Sequence, residues 1–109
     1  MEIDFKQTLK NLDESISKDE KGEIVTLKKL CINALFASIP NEKIDGIKKM
    51  ERYDLGMKIK NDKKEFKIEE IALIKKLVGQ VYGTFAVGQI YNMLEGDKDG
   101  KTGKNWNRI

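Results

Sequence analysis

Apolar residues recur at helical spacing in a segment that begins at Thr26 and predicts a first helix reaching about Ser38. Thr26 is a suitable N-cap. Pro40 marks the end just beyond the segment, because proline disfavours helical backbone in the residue before it. The apolar positions follow the i, i+3, i+4, i+7, i+8 pattern of one helix face. They are Leu27, Leu30, Cys31, Ala34 and Leu35.

A second helix is predicted after Asp45, which can cap it. Its apolar positions advance by steps of three and four residues, so they are expected to share one face directed at the core. Leu55 and Ile59 widen this face, and Gly56 lowers the helix propensity inside it. The positions predicted to face the core are Ile47, Met50, Tyr53 and Met57.

Two further helices are predicted later in the chain. The third covers residues 69 to about 82 and is apolar around most of its girth, so it is expected to be the most buried helix. The fourth covers residues 84 to 95, with Gly83 predicted at the C′ position of the preceding helix. Gly88 is expected to let another helix approach closely. The core-facing positions are Ile71, Ile74, Val78 and Val81 in the third helix, with Leu73 and Leu77 beside them, and Val87, Ile90, Tyr91 and Leu94 in the fourth.

The first 25 residues allow two interpretations, since one set of their apolar residues fits a helix and another fits two strands around the turn-like sequence DEKGE. We favour a short β-hairpin, because Gly22 offers a reversal just before the β-branched run from Ile24 to Thr26. Asn11 and Asp13 disfavour the helical alternative.

The patterns together predict a mainly α fold, a compact bundle of about four helices with a short N-terminal β-hairpin. A length of 109 residues corresponds to one domain with a single modest core. Residues 1–95 are predicted to form this domain, and residues 96–109 to form a polar C-terminal tail.

The absence of histidine limits the chemistry most strongly. It removes the usual general base, the histidine-containing nucleophile triads and most zinc sites. Glu51 with Asp54, and Glu69 with Glu70, are flanked by lysines as ordinary surface charges are. Cys31 is the only cysteine, so no internal disulfide forms, and we expect it in the core. We therefore expect a non-enzymatic protein with no catalytic residue, no cofactor and no metal site.

The charge of +3 is modest, but its distribution is uneven. The first 25 residues hold seven acidic residues and four lysines, which makes them −3 and the remainder +6. This falls short of the dense positive face of a dedicated nucleic-acid binder. The sequence shows neither a signal peptide nor a long apolar span, so we expect a soluble cytoplasmic protein with no membrane partner.

The predicted tail comes close to two ligand-binding motifs. Gly100-Lys101-Thr102 matches the second half of a phosphate loop, but the first glycine should stand where the chain has Glu95. Asp97 and Asp99 alternate like calcium ligands, but the position of the final bidentate acid holds Trp106. A helix end followed by a polar tail is therefore favoured.

Two stretches are candidates for binding. The densest run of lysines, interrupted by Asp62 and Glu65, is a candidate for phosphate contacts. Trp106 is the only tryptophan, and tryptophan and arginine are enriched at binding hot spots; alternatively, its ring folds back on the domain's own surface or is simply exposed. The candidate nucleic-acid-binding residues are Lys58, Lys60, Lys63, Lys64 and Lys67. The candidate partner-binding residues are Trp106, Asn107 and Arg108.

Four elements, taken in order, resemble a family of short proteins from tailed-phage and prophage genomes: DFKQTL, LDESISKDEKGEIVTLKKLCINAL, KKMERYDLGMKI and FKIEEIALIKKLVGQVYGTFAVGQIYNMLEG. The shared pattern is an F-x-x-x-L opening, a charged turn ending in Thr-Leu, an R-Y-x-L-x-x-K-I helix and a V-G-Q helix near the end. It covers residues 4 to 96. The resemblance rests on this patterning and carries over no functional residue.

The resemblance implies a phage context, in which small non-enzymatic proteins commonly act by binding something larger. The leading hypothesis is a protein-binding module, monomeric or homo-oligomeric, that inhibits or regulates a host defence or nucleic-acid-processing assembly in the host cytoplasm. One alternative is a nucleic-acid-binding regulator that uses the stretch from Lys58 to Lys67. Another is a phage structural or tail-assembly component, which predicts stable self-association.

Overall fold

The computed structural model describes residues 1–95. It contains α1 (Leu27–Phe36), α2 (Gly46–Lys60), α3 (Ile68–Val81) and α4 (Thr84–Leu94). α1 packs against both α2 and α3, and α4 packs against α3. The predicted mainly α fold of about four packed helices is therefore confirmed.

The starts of the first two helices follow from their caps. The Thr26 hydroxyl accepts from the backbone N–H of Lys29 at 3.1 Å, and the Asp45 carboxylate accepts from that of Lys48 at 2.9 Å. Both predicted caps are confirmed. Gly83 directly follows Tyr82, the C-cap of α3, and therefore holds the predicted C′ position. Its φ of −84° is not left-handed, and the same residue is the N-cap of α4.

The N-terminal segment is built from reversals rather than strands. Among the described residues the only β pairing is four isolated antiparallel bridges, so the predicted hairpin is not shown as a pair of strands. Leu9, Ser17 and Val25 meet in a closed ring of three backbone hydrogen bonds, each 3.0 Å long. The chain crosses this region three times, and each crossing is hydrogen-bonded to the other two near a single residue. No two crossings are therefore paired over enough residues to form a strand.

The two reversals in this segment have the same geometry eight residues apart. Glu14 and Gly22 both occupy the left-handed region, with φ of 70° and 84°. Each donates its N–H back to the residue three before it, Asn11 or Asp19. This matches a type I turn followed by a left-handed residue, which is common in tight reversals.

The core lies where the N-terminal segment and the helices meet. Phe5 packs edge-on against Phe66 with ring centroids 5.2 Å apart, which ties the N-terminus to the connection before α3. Cys31 is fully buried as predicted, and burial raises the pKa of its thiol to about 12. The buried apolar residues are Ile3, Phe5, Leu9, Leu27, Cys31, Ala34, Leu35, Leu55, Ile59, Phe66, Ile71, Ile74, Leu77, Val78, Ile90 and Leu94.

The packing of α4 on α3 depends on a glycine other than the one predicted. A Cβ at Gly88 would meet nothing within 4 Å, so the expected close approach there is wrong. A Cβ at Gly79 would lie 2.9 Å from the hydroxyl of Tyr91, which donates to the backbone carbonyl of Lys75 at 2.8 Å. Val81, predicted to face the core, is at the surface because α3 ends there.

Candidate functional site

An exposed group of large apolar side chains lies on the outer face of α2. Ile47 is 73% exposed, Met50 54% and Tyr53 50%. Phe36, at the end of α1, is 47% exposed and stacks on Tyr53 with ring centroids 6.0 Å apart. These four side chains are termed the aromatic patch. The sequence pattern assigns Ile47, Met50 and Tyr53 to the core, so that prediction is wrong.

The opposite face of α2 packs inward, and the one charged residue buried in it is neutralised. Arg52 is only 7% exposed, and its guanidinium donates to both carboxylate oxygens of Glu42 at 2.9 and 2.7 Å. This hydrogen bonding holds the pKa of Glu42 below its ordinary range and raises the pKa of Arg52. A buried charge is tolerated when it is paired in this way. Leu55 and Ile59 are therefore free to face α1 beside it, which leaves the aromatic patch outside.

The position of Phe36 depends on Gly56. A Cβ on Gly56 would lie 2.5 Å from Cε1 of the Phe36 ring, so the ring rests directly on the backbone of α2. The same ring lies nearly parallel to that of Tyr53, with an angle of 20° between the planes. These contacts hold both aromatic rings in one arrangement at the surface.

A groove of about 450 Å³ opens beside the aromatic patch. Phe36 and Tyr53 line it, together with Ile39 and Ile44 from the connection between α1 and α2. Arg52 with its partner Glu42 lies in the wall. The patch and the groove share both aromatic rings, so they form one continuous surface, and the volume is within the range of ordinary ligand pockets.

A second groove of about 480 Å³ lies between α2 and α3 and is termed the α2–α3 groove. Its accessible surface is mainly apolar, with Leu55 and Leu73 among its lining residues. Its rim is charged, and only one pair of charges in it is matched within residues 1–95: Lys58 Nζ lies 2.8 Å from Glu70 Oε1. The full lining is Glu51, Asp54, Leu55, Lys58, Lys67, Glu69, Glu70 and Leu73.

Glu70 is the best-held carboxylate of the α2–α3 groove. Burial pushes its pKa upward, but the hydrogen bonds from Lys58 and from the backbone N–H of Lys67 outweigh burial and leave the pKa lowered. Lys58 also lies over the ring of Phe66, 4.5 Å from its centroid. Because Lys58 contacts both Glu70 and the ring of Phe66, its ammonium group already takes part in interactions within the fold.

The predicted nucleic-acid-binding lysines do not come together on one face. Lys58 and Lys67 line the α2–α3 groove among carboxylates. Lys60, Lys63 and Lys64 are exposed at the end of α2 and in the connection that follows it. Within that connection, Asp62 pairs with Lys28 at 2.9 Å, which places a carboxylate among the lysines. The arrangement offers phosphates a smaller positive surface than the sequence suggests.

The predicted partner-binding residues Trp106, Asn107 and Arg108 lie outside the described residues, as do the two partial ligand-binding motifs. Among residues 1–95, no three His, Cys, Asp or Glu side chains are grouped so as to hold a metal ion. In that same part of the chain, no helix is long and apolar enough to cross a membrane.

Sequence reasoning missed the aromatic patch because it assigned Ile47, Met50 and Tyr53 to the core and made no prediction for Phe36. The signal that could have found it is a second apolar stripe on the same predicted helix: Leu55 and Ile59 lie on one side, and Ile47, Met50 and Tyr53 on the other. A surface helix needs only one apolar stripe. Comparison with protein-family models, curated proteins and solved structures found no match to this chain.

Proposed function

We propose that this protein is a non-enzymatic protein-binding module that inhibits or regulates a larger assembly by occupying part of its surface. In the phage context that the sequence resemblance implies, the assembly is a host defence or nucleic-acid-processing complex in the host cytoplasm. The single observation that carries the proposal is the aromatic patch of Phe36, Ile47, Met50 and Tyr53.

The composition and setting of the aromatic patch support a binding role. Contiguous apolar surface on a folded protein marks interaction sites, and tyrosine, phenylalanine and methionine are enriched at protein interfaces. Gly56 and the stacking of Phe36 on Tyr53 fix both rings of the patch before any partner arrives. A side chain that is already ordered loses less conformational entropy on binding, so more of the contact energy is retained.

The surroundings of the patch indicate the chemistry of the partner. Glu51 and Asp54 are exposed on α2 beside the patch and make no ion pair within residues 1–95. A complementary surface would have an apolar centre, a side chain that enters the 450 Å³ groove, and basic residues at the edge. We therefore expect a protein partner with basic residues around an apolar contact.

The test is recovery of a partner from bacterial host lysate by the purified protein, followed by mass spectrometry and binding measurements with the partner in pure form. The variant Met50→Asp with Tyr53→Asp places two charges in the patch. We expect it to weaken binding at least about tenfold, because loss of a hot-spot residue costs roughly 2 kcal/mol or more. Both side chains are about half exposed, so the fold should persist, as circular dichroism would verify.

A matched control is Leu12→Asp, which places a charge on an apolar side chain that is 84% exposed at a reversal of the N-terminal segment. It should bind as the wild type does. Equal binding by the patch variant, or an equal loss in the control, would remove the patch from the function. Light scattering of the protein alone provides a separate check, since stable self-association would favour the structural or tail-assembly alternative.

A further inference from the structure

The α2–α3 groove has the features of a binding site for a polypeptide segment. It is mainly apolar inside, with Leu55 and Leu73 in its lining, and its volume of about 480 Å³ is large enough for an aromatic side chain and its neighbours. Its rim carries four carboxylates against two lysines. Glu70 is paired with Lys58, whereas Glu51, Asp54 and Glu69 make no ion pair within residues 1–95. The complementary ligand is therefore basic at its edges and apolar at its centre.

A segment with this chemistry lies in the same chain. Residues 101–109 read KTGKNWNRI and contain three basic residues and no acidic residue. Trp106 stands between the basic residues Lys104 and Arg108. The segment therefore offers one large aromatic group with positive charges on both sides, which matches an apolar groove with an unmatched acidic rim.

The place where the described chain ends allows this segment to reach the groove. Glu95 is held against α3 by its ion pair with Lys75, at 2.6 Å. Lys75 is six residues from Glu69 of the groove rim, which is about 9 Å along a helix axis. Lys75 and Leu73 lie on different sides of α3, so the chain must pass around the helix. Half the circumference of a helix 10–12 Å wide is roughly 15–20 Å.

The length of the chain covers this path with residues to spare. An extended chain spans about 3.3–3.6 Å per residue, so five or six residues after Glu95 suffice to pass around α3. The passage crosses the side of α3 where Ala72 and Lys76 are exposed. The chain from Lys101 onward is therefore long enough to reach the groove.

We propose that residues 101–109 bind in the α2–α3 groove of their own chain, with Trp106 against Leu55 and Leu73 and with the basic side chains at the acidic rim. The tether keeps the segment at a high effective concentration near the groove, so weak contacts are sufficient. The inference does not depend on an outside partner. Its consequence for regulation, that the segment competes with a partner for Glu51 and Asp54, does rest on the proposed function.

The experiment uses the fluorescence of the single tryptophan in the full-length protein. A synthetic peptide of residues 96–109 is the reference for an exposed indole. We expect the protein to show emission at shorter wavelength than the peptide and a quenching constant with acrylamide that is lower by at least about twofold, because a tryptophan seated against apolar side chains is shielded from water. Identical emission and quenching in the protein and the peptide would overturn the proposal.

Reversing charges at the rim tests whether the segment binds in the α2–α3 groove. Asp54→Lys with Glu69→Lys changes two exposed rim residues and should return emission and quenching to the values of the peptide. The matched control, Glu2→Lys with Glu20→Lys, makes the same change in net charge at exposed positions of the N-terminal segment, and should leave the signal unchanged. An equal response of both variants would show a general effect of charge and would overturn the assignment to this groove.

Two measurements on the unmodified protein complete the test. The quenching constant should rise between low salt and about 1 M NaCl, where the Debye length falls to about 3 Å and the rim charges are screened. The signal should also be independent of protein concentration. A signal that changes on dilution together with the mass from light scattering would place the segment on a second copy and overturn the binding within one chain.

Discussion

The two faces of α2 show how differently one helix can use two apolar stripes. The inner face buries Leu55 and Ile59 together with Arg52, while the outer face exposes three large apolar side chains. Apolar content alone would turn the outer face inward, because it carries more apolar residues than the inner one. The inner face is nevertheless buried, and the charge of Arg52 within it is tolerated because Glu42 neutralises it through two hydrogen bonds.

This comparison separates what stabilises the fold from what remains available for binding. Leu55 and Ile59 are buried on the inner face of α2, the helix that packs against α1, so their loss should lower stability. Met50 and Tyr53 contribute little to the core, so their loss should affect recognition instead. Mutations that separate these two effects provide the most direct test of the orientation of α2.

The largest effect is expected from the inner face. Ile59→Ala should lower the free energy of unfolding by about 2–5 kcal/mol, because it removes a fully buried side chain and leaves a cavity. Met50→Ala, on the outer face of the same helix, should change it by no more than about 0.5 kcal/mol. Urea unfolding of the two variants measures the contrast. A comparable loss in both would mean that the outer face is also packed.

The pair of Glu42 and Arg52 is expected to make a smaller contribution that depends on pH. The hydrogen bond from Arg52 lowers the pKa of Glu42 from its ordinary value of 4.5, so the folded state favours the ionised carboxylate. The stabilisation is fully present above pH 4.5 and is lost as the pH falls through the lower pKa of the folded state.

The variant Glu42→Gln tests this charge dependence. The melting temperature of the wild type should exceed that of the variant at neutral pH, and the difference should shrink as the pH falls below the ordinary pKa of glutamate. Comparing the two proteins at each pH cancels the titration of the other carboxylates. A difference that stays constant with pH would mean that hydrogen-bond geometry, rather than charge, stabilises this face of α2.

The sequence was most informative where the structure depends on neighbours along the chain. Thr26 and Asp45 cap their helices as predicted, because the hydrogen bonds that make a cap lie within three residues. The apolar positions of α1 were likewise predicted, since that helix has a single stripe, of which Leu27, Cys31 and Leu35 are buried.

The sequence was least informative where a distant residue decides the packing. The buried Arg52 is paired with Glu42, ten residues away, and no periodic pattern encodes that contact. The ring of hydrogen bonds among Leu9, Ser17 and Val25 is equally hard to predict, because each of these residues is bonded to two others that are distant in sequence. Periodicity alone therefore does not reveal the aromatic patch, although it predicts Ile47, Met50 and Tyr53, three of its four residues, as one apolar face.

The smallest effect on stability is expected at Gly56, which is buried in α2 and lies against the Phe36 ring of the aromatic patch. Gly56→Ala gains about 1 kcal/mol of helix propensity, but the new Cβ displaces the Phe36 ring, so the net change in stability should be small. The control Gly88→Ala lies in a helix where a Cβ meets nothing, so it should retain the gain.

NMR contacts between the rings of Phe36 and Tyr53 distinguish the two variants at Gly56 and Gly88. The contacts should disappear in Gly56→Ala, because the ring of Phe36 can leave its place without unfolding the helix, and they should persist in Gly88→Ala. If they persist in Gly56→Ala as well, the ring is not held by the glycine, and the fixed arrangement of the aromatic patch would need another cause. If they disappear while the fold stays intact, the variant separates the shape of the patch from the stability of α2, and any accompanying loss of partner binding can be attributed to the patch itself.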